Sequence, residues 1–154
     1  LSLHDALPIS LIDRAGLVLR KIIREARLQA VLQHSIIRSS VEVFIQLLDA
    51  DEGYLGLLLR ESYTGSTSYK EAVDRQLSFF QQELQEDLIR LEQMNNSKII
   101  HADIAAKAIT QLVFNMGAKV IDLSAEQRIE VAEQTMLMIR MILTGARHLT
   151  EEPL

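Results

Sequence analysis

The sequence predicts an all-α protein, a bundle of five to six helices. Three observations carry this expectation. Apolar residues recur at steps of three and four along nearly the whole chain from Leu11, the spacing that lines up one face of a helix. Residues 11–152 contain no proline, the residue that most reliably interrupts a helix. The breaks between apolar stretches are short polar strings: "DADEGY", "YTGST", "NNSK" and "DLSAEQ". A chain of 154 residues, 48% hydrophobic and 24% charged, has the makeup of one globular domain with a sizeable core.

The opening "LSLHDALPIS" (Leu1–Ser10) stands apart from the rest of the chain. It holds no Lys or Arg, carries His4 and Asp5, and is interrupted by Pro8, which does not fit a secretory signal. No run of about 18 apolar residues, long enough to span a membrane, occurs elsewhere. The ten residues are similar to the translation of a common sequencing adapter, whose third frame encodes Leu-Ser-Leu-His-Asp-Ala-Leu-Pro-Ile. They are therefore read as a non-native leader, with 11–149 as one domain whose parent extended further upstream.

The first helix, from Leu11, places Ile12, Ala15, Leu19, Ile22, Ala26 and Ala30 on one face and Arg14, Arg20, Lys21, Arg24 and Arg27 on the other. A second runs from an N-cap at Ser35 to Leu48, with Ile37, Val41, Phe44 and Leu48 in one stripe. The short segment "YLGLLLRES" is a further helix, too apolar to be exposed. The third long helix spans Ser68 to Met94, with Ala72, Val73, Leu77, Phe80, Leu84, Leu88 and Leu91 inward. Its acids Glu83, Glu86 and Asp87 fall off that stripe and read as a solvated face. An Asn of "NNSK" closes it in the left-handed conformation. The fourth helix begins at His101 or Ala102, holds Asp103 where the helix dipole favours a negative charge, and ends near Ile121. Ser124 and Gln127 have capping-box spacing, and the last helix runs from there to His148.

The last two helices are apolar around most of their circumference, as in "VAEQTMLMIRMILTGA". Such a helix is covered on more than one side. A symmetric dimer with a four-helix interface would do this; so would a central position in a single bundle.

The composition excludes several classes. There is no Cys, hence no disulfide framework and no thiolate metal site, which fits a reducing cytoplasm. The net charge of −5 argues against general affinity for nucleic acid. His4, His34, His101 and His148 are widely separated; His34 and His101 read as helix-end residues. No HExxH, no ExxH pair and no glycine-rich phosphate loop occurs. Nothing argues for an enzyme, a metal or a cofactor. What remains is a broad apolar interior, either packed solid or hollow. Phe44, Phe79, Phe80 and Phe114, with Tyr54 and Met116, would line an elongated cavity. Arg60, directly after "LGLLL", needs a counter-charge if buried: Glu61, another acid, or an anionic ligand head group.

Five strings, taken in order, resemble the C-terminal regulatory domain of TetR-family transcriptional repressors, most closely the FabR/DesT branch that senses unsaturated fatty acyl thioesters. They are "DRAGLVLRKIIREAR" (Asp13–Arg27), "SIIRSSVEVFIQLL" (Ser35–Leu48), "LGLLLRESYTGSTSYKEAV" (Leu55–Val73), "QLVFNMGAKVIDLSAEQR" (Gln111–Arg128) and "MLMIRMILTGARHL" (Met136–Leu149). The resemblance covers most of 11–149 and starts after the family's N-terminal helix-turn-helix, which is missing here. It implies a cytoplasmic homodimer, with no membrane association, that binds long-chain acyl-CoA or acyl carrier protein thioesters and controls fatty-acid biosynthesis. DNA is reached only through the missing domain. The first helix would act as a lever between ligand and DNA. On this reading the ligand-binding candidates are Leu19, Ile23, Phe44, Leu48, Leu58, Arg60, Phe80, Leu84, Val113 and Phe114. Arg20, Arg24 and Arg27, with Lys21, would hold phosphates or simply form a solvated basic face. Phe114, Ala118, Ile121, Met136, Ile139, Arg140 and Leu143 would form the dimer interface. A purely structural dimerising module without a ligand is the alternative.

Overall fold

The computed structural model describes residues 3–30, 36–50 and 67–149. These residues form helices only: α1 (Leu3–Ala30), α2 (Ile36–Ala50), α3 (Thr67–Asn95), α4 (Ala102–Val120) and α5 (Ala125–His148). The protein is all-α, as the periodicity requires. Among the described residues, no helix is long and apolar enough to cross a membrane. The expected N-cap Ser35 and the short helix over "YLGLLLRES" lie outside the described residues.

Local chemistry sets the helix ends. Ser124 accepts a hydrogen bond from the Gln127 amide at 3.3 Å, and the Gln127 side chain accepts from the Ser124 amide at 3.1 Å. This closed capping box satisfies two amides that the first turn of α5 leaves without partners. Asn96 follows α3 with φ 51°, the left-handed stop that Asn tolerates better than most residues. His101 precedes α4 at φ 54° and gives no side-chain cap; Asp103 supplies the negative charge in that first turn. Helix α1 begins at Leu3 rather than Leu11 and continues through Pro8, a residue without the amide that would bond the His4 carbonyl.

The helices form a ring. α1 packs on α2 and α3, α3 on α4, α4 on α5, and α5 returns to α2, which also touches α4. The main core gathers Ile12, Leu19 and Ile23 of α1 with Val41 and Phe44, then Val73 and Phe80, Ile109 and Met116, and Met136 and Ile139. A smaller cluster of Leu88, Ile99, Ala105 and Ala106 sits where Ile142, Leu143 and Ala146 of α5 come down. The Ile100 amide donates to the Ala146 carbonyl at 2.7 Å, fastening the end of α5 to the α3–α4 connection.

The contact of α1 with α3 is unlike the rest. Asp13 accepts from Arg75 and Gln76, each at 2.9 Å. Arg20 reaches Glu83 at 3.4 Å and Arg27 reaches Asp87 at 2.7 Å. The partners ascend together, so the two helices run parallel. Asp13, Arg20 and Arg27 are seven residues apart, which returns them to one side of α1 every two turns. The helices approach most closely at Gly16, where an added Cβ would overlap the Gln76 side chain. This seam corrects two expectations. Asp87 is 7% exposed and Glu83 is half-buried, so they are interhelical partners rather than a solvated acidic face. On α1, Ile23 is buried and Ile22 only half-buried, because α3 sets the inward direction.

Candidate functional site

The ring leaves an open cleft of about 1240 Å³ to which all five helices contribute. Its apolar wall includes Ile23 of α1, Val41 and Phe44 of α2, Phe80, Leu84 and Leu88 of α3, Ile109, Val113 and Phe114 of α4, and Met136, Ile139 and Leu143 of α5. Three phenylalanines meet there. Phe114 packs edge-to-face with Phe80 at 4.9 Å and with Phe44 at 5.7 Å between ring centroids, the geometry favoured by the aromatic quadrupole. Each ring comes from a different helix because α2, α3 and α4 each carry a core stripe that converges on this point.

Five of the seven charged residues in the lining are arginines. Arg27, Arg38, Arg90, Arg140 and Arg147 border the cleft, against the acids Asp87 and Glu133. Arg38 of α2 bridges to Glu133 of α5 through two hydrogen bonds, at 2.8 and 3.1 Å. That contact holds the Glu133 carboxyl below its ordinary range and raises the Arg38 guanidinium. Arg140 and Arg147 are both placed on α5 seven residues apart, which puts them along one side of that helix. Arg147 also stands in the last turn of α5, where the helix dipole favours a cation. Among the described residues, no group of three or more His, Cys, Asp or Glu is placed to hold a metal ion.

Of the residues that the sequence suggested for a ligand, Ile23, Phe44, Phe80, Leu84, Val113 and Phe114 are brought together around this cleft. Leu19 is 4% exposed and belongs to the core. Leu48 packs on the core from the side. Leu58, Arg60 and Tyr54 lie outside the described residues. Met116 is core, and Phe79 is turned outward beneath the Arg20 guanidinium, 4.5 Å from its ring centre. Of the basic set, Arg20 and Arg27 are engaged with Glu83 and Asp87. Arg24 is half-buried and Lys21 exposed, and neither borders the cleft.

The residues expected at a dimer interface divide differently. Met136 and Ile139 are 7% and 5% exposed within the chain itself and line the cleft. Phe114, Arg140 and Leu143 border the cleft, and Ala118 and Ile121 pack against the core. The outward apolar side of α5 consists instead of Met138 and Met141, exposed at 45% and 62%; Leu137, 51% exposed, borders the cleft. α5 is apolar all round, and only its packing on α4 and α2 decides which side faces in.

Sequence reasoning also missed Arg38, Arg90 and Arg147 as cleft residues, and placed Arg140 at an interface instead. The seven-residue spacing of Arg140 and Arg147 was a signal that they share a side. Which side borders a cleft is a tertiary fact. No protein-family model matches the chain.

The Arg38–Glu133 bridge gives a signed expectation. A carboxyl held below its ordinary value, 4.5, contributes stability that is present above that value and lost as the pH falls below it. Arg38→Gln should therefore melt below wild type at pH 7, and the two curves should converge under acid. Thermal unfolding followed by circular dichroism across pH 3–7 checks this.

Proposed function

We propose that this chain is the effector-sensing and dimerising domain of a TetR-type transcriptional repressor of fatty-acid biosynthesis, and that its cleft takes a long-chain acyl thioester of coenzyme A or acyl carrier protein. The observation that carries this reading is the cleft's composition. Its walls are aliphatic and aromatic while five of its seven charged lining residues are arginines, in a chain whose net charge is −5. An apolar tail joined to an anionic head complements both parts. Burying roughly ten methylenes at ~0.8 kcal/mol each gives about 8 kcal/mol gross, enough for micromolar binding after the cost of association.

In this reading the ligand acts through α1, which borders the cleft with Ile23 and Arg27 and extends beyond it. A ligand that fits one position of α1 better than another shifts the balance between them by that difference in affinity. Operator contacts belong to a DNA-reading unit that these residues do not include, and the domain works as a homodimer in the cytoplasm. The exposed side of α5, with Met138 and Met141, meets its counterpart on a second copy. A two-fold interface built on these helices repeats the same patch on both subunits.

Two measurements test the reading. Val113→Trp places an indole inside the cleft, so it should weaken binding of oleoyl-coenzyme A by about tenfold or more in calorimetry, a loss of roughly 1.4 kcal/mol. Unchanged affinity, or no binding by the unaltered chain, would leave a structural module. Met141→Glu puts a charge on the outward side of α5 and should convert a dimer to a monomer in sedimentation velocity, with the helical circular dichroism retained.

A further inference from the structure

The Arg27–Asp87 pair is incompletely satisfied on the aspartate's side. Arg27 donates through Nε to Asp87 Oδ2 at 2.7 Å, and this is its one hydrogen bond among the described residues. The two Nη groups of the guanidinium, the side that pairs best with an anion, are left over. Asp87 Oδ1 is buried and accepts no hydrogen bond, although its side chain is only 8% exposed. Buried acceptors in this condition are rare and call for a reason. Arg90 Nη1 lies 4.0 Å from Oδ1, on a side chain that is 52% exposed. Arg27, Asp87 and Arg90 all border the cleft.

We propose that Asp87 is a shared counter-ion: an anionic head group entering the cleft takes Arg27, and Asp87 passes to Arg90, releasing from α3 the end of α1 beyond Arg20, which Glu83 still holds. This rests on the acyl-thioester reading and adds to it how occupancy is registered. A buried carboxylate cannot be abandoned without a replacement cation. Arg90 already stands within one side-chain rearrangement of the unpaired oxygen, and an exposed arginine reorients at little cost. The other end of α1 stays fastened, because Asp13 holds Arg75 and Gln76 and Gly16 is in close contact with Gln76. The exchange frees one end of α1 and leaves the other anchored. It also makes the site selective: an uncharged amphiphile of the same length fills the apolar wall but cannot displace Asp87 from Arg27.

The test compares oleoyl-coenzyme A with oleyl alcohol on the full chain, by calorimetry and by hydrogen exchange of residues 21–28. Oleoyl-coenzyme A should raise exchange in that segment and oleyl alcohol should leave it unchanged. Asp87→Asn removes the competing charge and should raise the affinity ratio of thioester to alcohol by about tenfold. Arg90→Gln removes the waiting partner and should lower that ratio by a similar factor; its exposed side chain makes it the safer variant for folding. A ratio that neither substitution moves, or equal exchange with both probes, overturns the counter-ion transfer while leaving the cleft reading intact. Failure of oleoyl-coenzyme A to bind the unaltered chain overturns both.

Discussion

The architecture depends on the polar seam between α1 and α3. Apart from the exposed Arg38–Glu133 bridge between α2 and α5, the other joints in the ring are mainly apolar and tolerant of small shifts, since dispersion and burial have little directionality. The seam is ionic and directional. Arg20–Glu83 and Arg27–Asp87 are both largely removed from water, and taking charges out of water costs several kcal/mol per ion before any attraction is counted. Hydrophobic residues of the same size would hold the helices together as well or better. What the charged partners add is register: a slip of α1 by one turn separates Asp13, Arg20 and Arg27 from their partners at once. Four of the buried polar atoms without a hydrogen bond, on Arg20, Gln76, Glu83 and Asp87, lie along this one contact. The seam therefore defines a position for α1 without saturating it.

The cleft follows from that position. Among the described residues, α1 packs on α2 and α3 and not on α4 or α5, so the ring closes around a space rather than over it. The three phenylalanines set one boundary of this space, and the arginines of α1, α2, α3 and α5 set another. A site that is apolar within and cationic at its border is matched by few classes of small molecule, and a fatty acyl chain with an anionic carrier is one of them.

Much of the fold was legible because it is written locally. The capping box of Ser124 and Gln127, the left-handed stop at Asn96 and the Val41–Phe44 stripe are each fixed by residues within a few positions of one another, and each is present. The aromatic part of the cleft was partly legible for a related reason: Phe44 and Phe80 sit on strong stripes, whereas Phe114 lies on a helix that is apolar around most of its circumference. The charged part was not. Asp87 lies beside Leu88 yet off the predicted stripe, and only Arg27, sixty residues earlier, makes its burial tolerable. On α5 the apolar pattern is nearly isotropic, so local spacing cannot say that Met136 faces in while Met138 and Met141 face out. The contacts with α4 and α2 decide it. Residues carried by resemblance alone divide in the same way: Leu84 and Val113 reach the cleft, whereas Leu19 and Leu48 serve the core.

The most direct measurement of the central claim is a double-mutant cycle on Arg27 and Asp87, using Arg27→Met and Asp87→Leu with stability read from urea unfolding. If the seam holds α1 by this buried partnership, each single substitution leaves one uncompensated charge and costs about 3 kcal/mol, while the double variant returns close to wild type. Strictly additive losses, with a coupling energy below about 0.5 kcal/mol, would mean that Arg27 and Asp87 are neighbours without being partners, and that something other than this seam positions the first helix.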